Sequence, residues 1–377
     1  MRKAVIILTC IVCLGAILNR NTFKDDISNR SIVQGVGIDI NDDGTYTVTL
    51  EIINTENYSN ADGTAKPVMN LRTLSGKTVS SAIKSAYAID GKTPVLSQNR
   101  VIVIGKKLAE KGIMPSLDFF IRGSENYPTV QIATVQGRAE DFFKDASGET
   151  TVVSRNIEDI LMTSEEDMSV SSITLCDLVN HYKSAGASFY MPIISTFEGK
   201  EKKEITSKGT AVFKEGKLVC NLSEEETASL NFLCNCARRG AVDFSYNGVP
   251  ASISVIQNST KKKVDYSSEN PQFFFKVKIK ADLAEIDSET VYNPTQTEVD
   301  AMKECAEEKI KSDIEALCRK LYRQEKADPL GFSRLIYIYY PEKFRAQEKN
   351  LSEIMTNSQY SVEVEICIRR LGQDYSS

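Results

Sequence analysis

From Thr297 to Arg323 the apolar residues Val299, Met302, Ala306, Ile310, Ile314, Leu317 and Leu321 recur at about 3.6-residue spacing, a stripe roughly seven turns long. This predicts the longest helix of the chain, with one face that must be buried. Just before it, Phe273–Leu283 places Phe273, Phe275, Val277 and Ile279 on one side and Lys276, Lys278 and Lys280 on the other, the period-two signature of a strand with one wet face. Ser361–Ile368 repeats that period with Val362, Val364, Ile366 and Ile368. The second half is therefore a sheet packed by a long helix.

The first half alternates strand and helix. Ser31–Ile40 and Thr45–Ile53 read as strands joined by turn chemistry at Asn41-Asp42-Asp43-Gly44. Thr78–Ile89 reads as helix, Arg100–Gly105 as a short strand, Leu108–Phe120 as helix, Thr129–Val135 as strand and Ala139–Lys144 as the start of another helix. Ser169–Ser184 is expected as a helix carrying His181. Gly199-Lys-Glu-Lys-Lys-Glu is either a linker or a hairpin tip, and Thr210–Lys214 pairs with Lys217–Leu222 across Glu215-Gly216. With 41% apolar and 26% charged residues and no biased tract, the chain has the composition of a packed protein. The class is α+β, with mixed sheets packed by helices in more than one domain.

The first twenty residues stand apart. Arg2 and Lys3 precede an uncharged apolar run from Ala4 to Leu18, the form of a positive n-region followed by an h-region. Such a run spans about 22 Å as a helix, short of the roughly 30 Å hydrocarbon core, which favours a secretory signal, with a short retained anchor as the alternative. The chain is expected to be addressed to a membrane.

Few residues suggest chemistry. A net charge of −5 carries no basic surplus, so no nucleic acid is expected as a partner. His181 is the sole histidine, so histidine-rich zinc sites and two-imidazole mechanisms lack their parts, and its position on a helix beside Asp177 alone suits a structural residue. Nine cysteines are present, two of them, Cys10 and Cys13, in the leader. The remaining odd number argues against a full disulfide framework, and Cys234 and Cys236 lack a second ligand pair and read as unpaired thiols. Asp39, Asn41, Asp43 and Gly44 match the opening of a calcium loop, but Leu50 stands where the closing carboxylate is needed, which leaves a plain hairpin turn. Gly35-Val36-Gly37 lacks the third glycine and following helix of a phosphate loop. The acid pairs Glu165–Glu166 and Glu224–Glu225 are the material for a carboxylate hydrolase, yet adjacent acids more simply form a solvated or N-terminal helix face. No catalytic, cofactor-binding or metal-binding residue is assigned, and no cofactor is expected.

Several strings, in order, resemble the C subunits of bacterial spore nutrient germinant receptors, the Ger(x)C family. Ile32-Val-Gln-Gly-Val-Gly-Ile-Asp39 is similar to the family's opening strand, and Leu96-Ser-Gln-Asn-Arg-Val-Ile-Val-Ile-Gly105 to its block ending in an apolar strand and glycine. Leu108-Ala-Glu-Lys-Gly-Ile113 and Asp118-Phe-Phe-Ile-Arg122 continue that block. Gly209-Thr-Ala-Val-Phe-Lys-Glu-Gly-Lys-Leu-Val219, followed by Leu222 and Glu224-Glu225-Glu226, resembles the start of the C-terminal half, and Asp328, Gly331, Phe332, Pro341 and Phe344 its closing segment. The likeness covers about residues 25–372.

The resemblance implies three mixed α/β domains, dividing the chain into 1–20 as signal or anchor, 21–160 as an N-terminal α/β domain, 161–222 as a small middle domain with a hairpin, and 223–377 as a C-terminal α+β domain with the long helix. It also implies a non-enzymatic, membrane-associated subunit at the outer face of the spore inner membrane, assembled with A and B subunits and required for nutrient-triggered germination. Whether a small-molecule germinant binds this subunit directly stays open. Where the family usually carries an acylated cysteine, this sequence has Asn21, Thr22 and Phe23, so no lipidation site is assigned. The competing reading is a stand-alone extracytoplasmic nutrient-binding protein.

Overall fold

A computed structural model describes residues 30–54, 68–123, 127–147, 152–163, 166–200, 203–287 and 294–369. The leader, with Cys10, Cys13 and Asn21, and Glu165 lie outside them. Strands β1 (Arg30–Ile40) and β2 (Tyr46–Asn54) form the expected hairpin, and β3 (Val68–Gly76) adds antiparallel to β2. Helices α1 (Val79–Lys84) and α2 (Tyr87–Asp90) lead to β4 (Thr93–Val95), which pairs in parallel with the first residues of β1. Then follow β5 (Val101–Ile104), α3 (Lys106–Lys111), α4 (Met114–Arg122), β6 (Gln131–Val135), α5 (Ala139–Ala146), α6 (Val153–Met162), α7 (Leu175–Tyr182), β7 (Ser188–Glu198), β8 (Lys203–Lys214) and β9 (Lys217–Leu222). All nine strands make one sheet, ordered β3-β2-β1-β5-β6-β7-β8-β9 with β4 beside β1.

At the centre β1, β5, β6 and β7 run parallel, with helices on both faces. Alternate residues therefore enter different cores: Ile102 and Ile104 pack with Leu108, Leu117 and Phe120, whereas Val101 and Val103 pack with Phe143, Ile157 and Leu161. Two glycines of β1 permit the second layer. A Cβ on Gly35 would lie 2.9 Å from the Ser154 Cβ, and one on Gly37 would lie 3.1 Å from the Ala139 Cβ, so α5 and α6 reach the sheet because these positions carry no side chain. The Gly35-Val36-Gly37 string is a packing device.

The C-terminal part continues with α8 (Glu224–Cys234), β10 (Gly240–Tyr246), β11 (Val249–Asp265), β12 (Gln272–Ile286) and α9 (Gln296–Cys318), the last passing into a π-helical turn at Arg319–Gln324. Helices α10 (Phe332–Tyr339), α11 (Pro341–Gln347) and α12 (Leu351–Asn357) precede β13 (Gln359–Ile368). Strands β10-β11-β12-β13 form a four-stranded sheet in which β13 is parallel to β12. The stripe of α9 buries Met302, Ala306, Ile310, Ile314 and Leu317 against Phe273, Phe275, Val277 and Ile279. On the opposite face Lys276 reaches Glu363 at 2.5 Å and Lys278 reaches Glu365 at 3.0 Å, exposed pairs of small energetic weight.

Three expected helices differ in extent. The stretch 78–89 divides into α1 and α2. The stretch 108–120 starts earlier, at Lys106, and breaks at Gly112, whose φ of +127° ends α3 before α4 begins. The helix expected over 169–184 spans only Leu175–Tyr182, because the preceding residues run extended beside β6, with the Ile132 N–H donating to the Ile173 carbonyl, and Thr174 caps the helix by accepting from the Asp177 N–H. Strands β7 and β8 pair antiparallel up to Glu198 and Lys203 on either side of the polar segment at Gly199, of which residues 201–202 lie outside the described residues, as the hairpin alternative expects.

Candidate functional site

Among the described residues three carboxylates are buried, and each finishes a helix that lacks a side-chain cap of its own. Asp39 of β1 accepts from the Ala139 and Glu140 N–H groups (2.9 and 3.0 Å) at the start of α5. Glu51 of β2 accepts from the Val153 and Ser154 N–H groups at the start of α6 (2.6 and 2.9 Å). Asp328 accepts from the Phe332 and Ser333 N–H groups (both 2.8 Å) at the start of α10. The orphan donors and positive end of α5 and α6 are met by a carboxylate from a strand about a hundred residues away, and those of α10 by one four residues ahead in sequence. Burial pushes all three carboxyl groups above their ordinary range, against the lowering effect of these hydrogen bonds.

Asp328 also sits where the two sheets meet. Its remaining acceptor capacity takes the Tyr322 hydroxyl at 2.8 Å and the Ser333 hydroxyl at 2.5 Å, while its own N–H donates to Ser188 Oγ at the start of β7 (3.1 Å). Tyr322 stacks on Phe332 at 4.7 Å between ring centroids, and Phe332 stacks on Phe273 and Phe275 at 4.9 Å. Nearby, Lys214 at the end of β8 donates to the Lys326 carbonyl (2.7 Å) and Ser352 Oγ (3.0 Å). A second set of buried polar bonds lies farther along: Asn231 of α8 donates to the Met168 and Val170 carbonyls, and the Ser171, Thr210 and Thr227 hydroxyls form a chain. The cleft over Asp328, lined by Gly186, Lys214, Glu215, Ser333 and Ser352, holds about 180 Å³, less than the roughly 300 Å³ at which small-molecule sites begin. With both carboxylate oxygens already accepting, this junction is built as a joint between sheets.

The residues considered from sequence are scattered. His181 on α7 is half-buried, has no side-chain hydrogen bond among the described residues, and is held below its ordinary pKa by burial. Glu166 pairs with Arg239 at 2.5 Å. Glu224 and Glu225 occupy the first turn of α8, where Ser223 and Glu226 form a capping box and Glu226 also holds Lys320 at 2.7 Å. Cys234 accepts from the Tyr190 hydroxyl at 3.6 Å, Cys236 is exposed, and the seven described cysteines are free thiols. The calcium-like loop is a turn: Asp39 is committed to α5, Asn41 donates to the Thr45 and Thr47 hydroxyls, and Asp43 accepts from Thr45. Among the described residues no cluster of three His, Cys, Asp or Glu side chains is placed to hold a metal ion. The buried caps escaped sequence reasoning, although Ile38-Asp39-Ile40 and Leu50-Glu51-Ile52 signal an acid at a position whose neighbours are all interior.

Comparison with known proteins adds what the geometry does not. Residues 24–196 match the spore germination protein N-terminal domain, and residues 208–372 match the spore germination B3/GerAC-like C-terminal domain. The chain belongs to the GerAC family. Spore germination protein B3 of Bacillus subtilis (strain 168) is 24% identical over 354 residues, covering 92% of each chain, and spore germination protein A3 of the same organism is 22% identical over 363 residues, covering 93% of each. The crystal structure of the GerBC protein matches with a TM-score of 0.58 at 21% identity, over 88% of this chain and 96% of that one, and shares the fold. In this GerAC-family chain the Asp328 joint is built by residues inside the C-terminal match, closing against Ser188 inside the N-terminal one.

Proposed function

We propose that this protein acts in spore germination as a non-enzymatic, membrane-associated subunit of a nutrient germinant receptor, at the outer face of the spore inner membrane, through assembly with an A subunit and a transporter-like B subunit. The observation that carries the reading is the pair of family matches in tandem, together with spore germination relatives aligned over more than nine-tenths of their own length.

No helix among the described residues is long and apolar enough to cross a membrane. Attachment in this reading comes from the apolar leader, retained, and from docking to the membrane subunits, since a single short apolar segment is a weak anchor. The test is isolation of the tagged full-length chain from detergent-solubilised spore membranes. The expected result is co-isolation with a multi-pass transporter-like protein and a second membrane subunit, and an intact N-terminus by mass. Recovery of the chain by itself would favour the stand-alone nutrient-binding protein, and a diacylglyceryl adduct on Cys10 or Cys13 would overturn the retained leader.

A further inference from the structure

Because β1, β5, β6 and β7 are parallel, Arg30, Val101, Gln131 and Ser188 mark one end of the large sheet. Tyr87 and Ile89 of α2 lie at that end, just ahead of β4, whose Thr93 pairs with Arg30. Tyr127 lies there too, in the turn before β6. Helix α7 starts against the same turn, where the Cys176 N–H donates to the Pro128 carbonyl, and its C-terminal end leads into Ser188, which is bonded to Asp328. Helices α10 and α11 complete the end, forming an open groove with α7 between Lys183 and Arg334, Tyr337 and Phe344. Six large apolar or aromatic side chains of this end, Tyr87, Ile89, Tyr127, Tyr337, Ile338 and Tyr339, are each more than half exposed.

Two properties say what covers them. The segment 331–350 carries Arg334, Lys343, Arg345 and Lys349 against Glu342 and Glu348, a positive surplus in a chain whose net charge is −5, and Lys183 adds to it across the groove from α7, the helix that also holds Asp177. Lys343 is engaged with the Tyr266 carbonyl and ring, whereas Lys183, Arg334 and Arg345 are exposed with no carboxylate partner among the described residues. The described chain also begins at this end. Eleven residues separate Arg30 from Leu18, the last residue of the apolar run, and they can reach at most about 40 Å. Tyrosines rimmed by bases, beside the point where an apolar leader departs, match the headgroup layer of an anionic bilayer.

We propose that this end of the molecule rests on the membrane, with Tyr87, Tyr127 and the Tyr337–Tyr339 run in the headgroup layer and Lys183, Arg334 and Arg345 against lipid phosphates. The inference rests on the membrane association proposed above and adds the orientation. It assigns the opposite end, with the Asn41–Thr45 turn and Phe197, to water.

The chain has no tryptophan, so a single introduced one is a clean probe. Full-length chains carrying Tyr339→Trp, Tyr87→Trp or Phe197→Trp are bound to phosphatidylglycerol vesicles with brominated acyl chains, and emission is compared with that on unbrominated vesicles. The expected result is a marked loss of emission at positions 339 and 87, none at 197, and recovery of emission at 339 when Lys183→Glu and Arg334→Glu are added. Chains that pellet with vesicles but show no quenching at 339 overturn the orientation and leave the tether standing. Chains that stay in the supernatant overturn both. Emission at 339 that ignores lipid and changes only on addition of a solubilised membrane subunit also overturns the proposal, and makes this end a protein-docking surface.

Discussion

Asp328 holds four donors at once, so its removal should be costly out of proportion to its size. Asp328→Ala leaves the Tyr322 hydroxyl, the Ser333 hydroxyl and two N–H groups without their acceptor inside the joint, and a loss of roughly 3 kcal/mol or more is expected. Urea unfolding at unchanged m would show it, and an unshifted midpoint would refute the joint. Glu51 gives a sharper test because its pKa is raised by burial above the ordinary 4.5. In the window above 4.5 the folded state holds more protons than the unfolded one, so the stability from this group is fully present below 4.5 and falls as pH rises through the window. The stability advantage of the wild type over Glu51→Gln should therefore be larger below pH 4.5 than at neutral pH, measured by denaturation at both. An advantage that grows with pH would mean that the N–H bonds outweigh burial. At His181 the expectation is the reverse of a catalytic base: spores carrying His181→Ala germinate in response to nutrient, and complete loss at normal protein level would contradict a non-enzymatic role. Residue roles of this kind were the least legible part of the sequence. The acid between Ile38 and Ile40 is visible, but its partner is a helix start a hundred residues away.

At the scale of elements, period and turn chemistry carried most of the information. The β1–β2 hairpin, the lysine-faced β12 and the stripe of α9 appear where their patterns put them, because each is decided by residues adjacent in sequence. The helices expected over 78–89, 108–120 and 169–184 differ in extent in the structure, because an apolar spacing cannot show that Gly112 turns the chain or that the residues before Thr174 are captured by β6. The β8–β9 hairpin offers a direct check. Glu215 and Gly216 both have positive φ, as a two-residue hairpin turn with matched twist requires, and a Cβ at Gly216 would lie 2.8 Å from Met114 Cγ. Gly216→Val should cost about 1–3 kcal/mol through strain and overlap, read as a lowered melting temperature. An unchanged melting temperature would show that the turn does not set this register.

For the whole molecule, the sheet order was illegible, since strands β7–β9 join β1–β6 through pairings that local pattern does not encode, and the polar bonds at Ser188–Asp328 and Asn231–Met168 tie the two sheets through residues far apart in sequence. Fold class was legible, because the stripe of α9 and the alternation along β12 and β13 are patterns among residues adjacent in sequence. The family strings supplied the biological context that physics did not. The central claim is that this chain is required for the response to nutrient. The most direct measurement follows germination, as the fall in optical density, of spores lacking the chain across the nutrients to which the parent spores respond. The account predicts loss of the response to at least one nutrient, restored by the full-length chain; spores that germinate like the parent in every nutrient would contradict it.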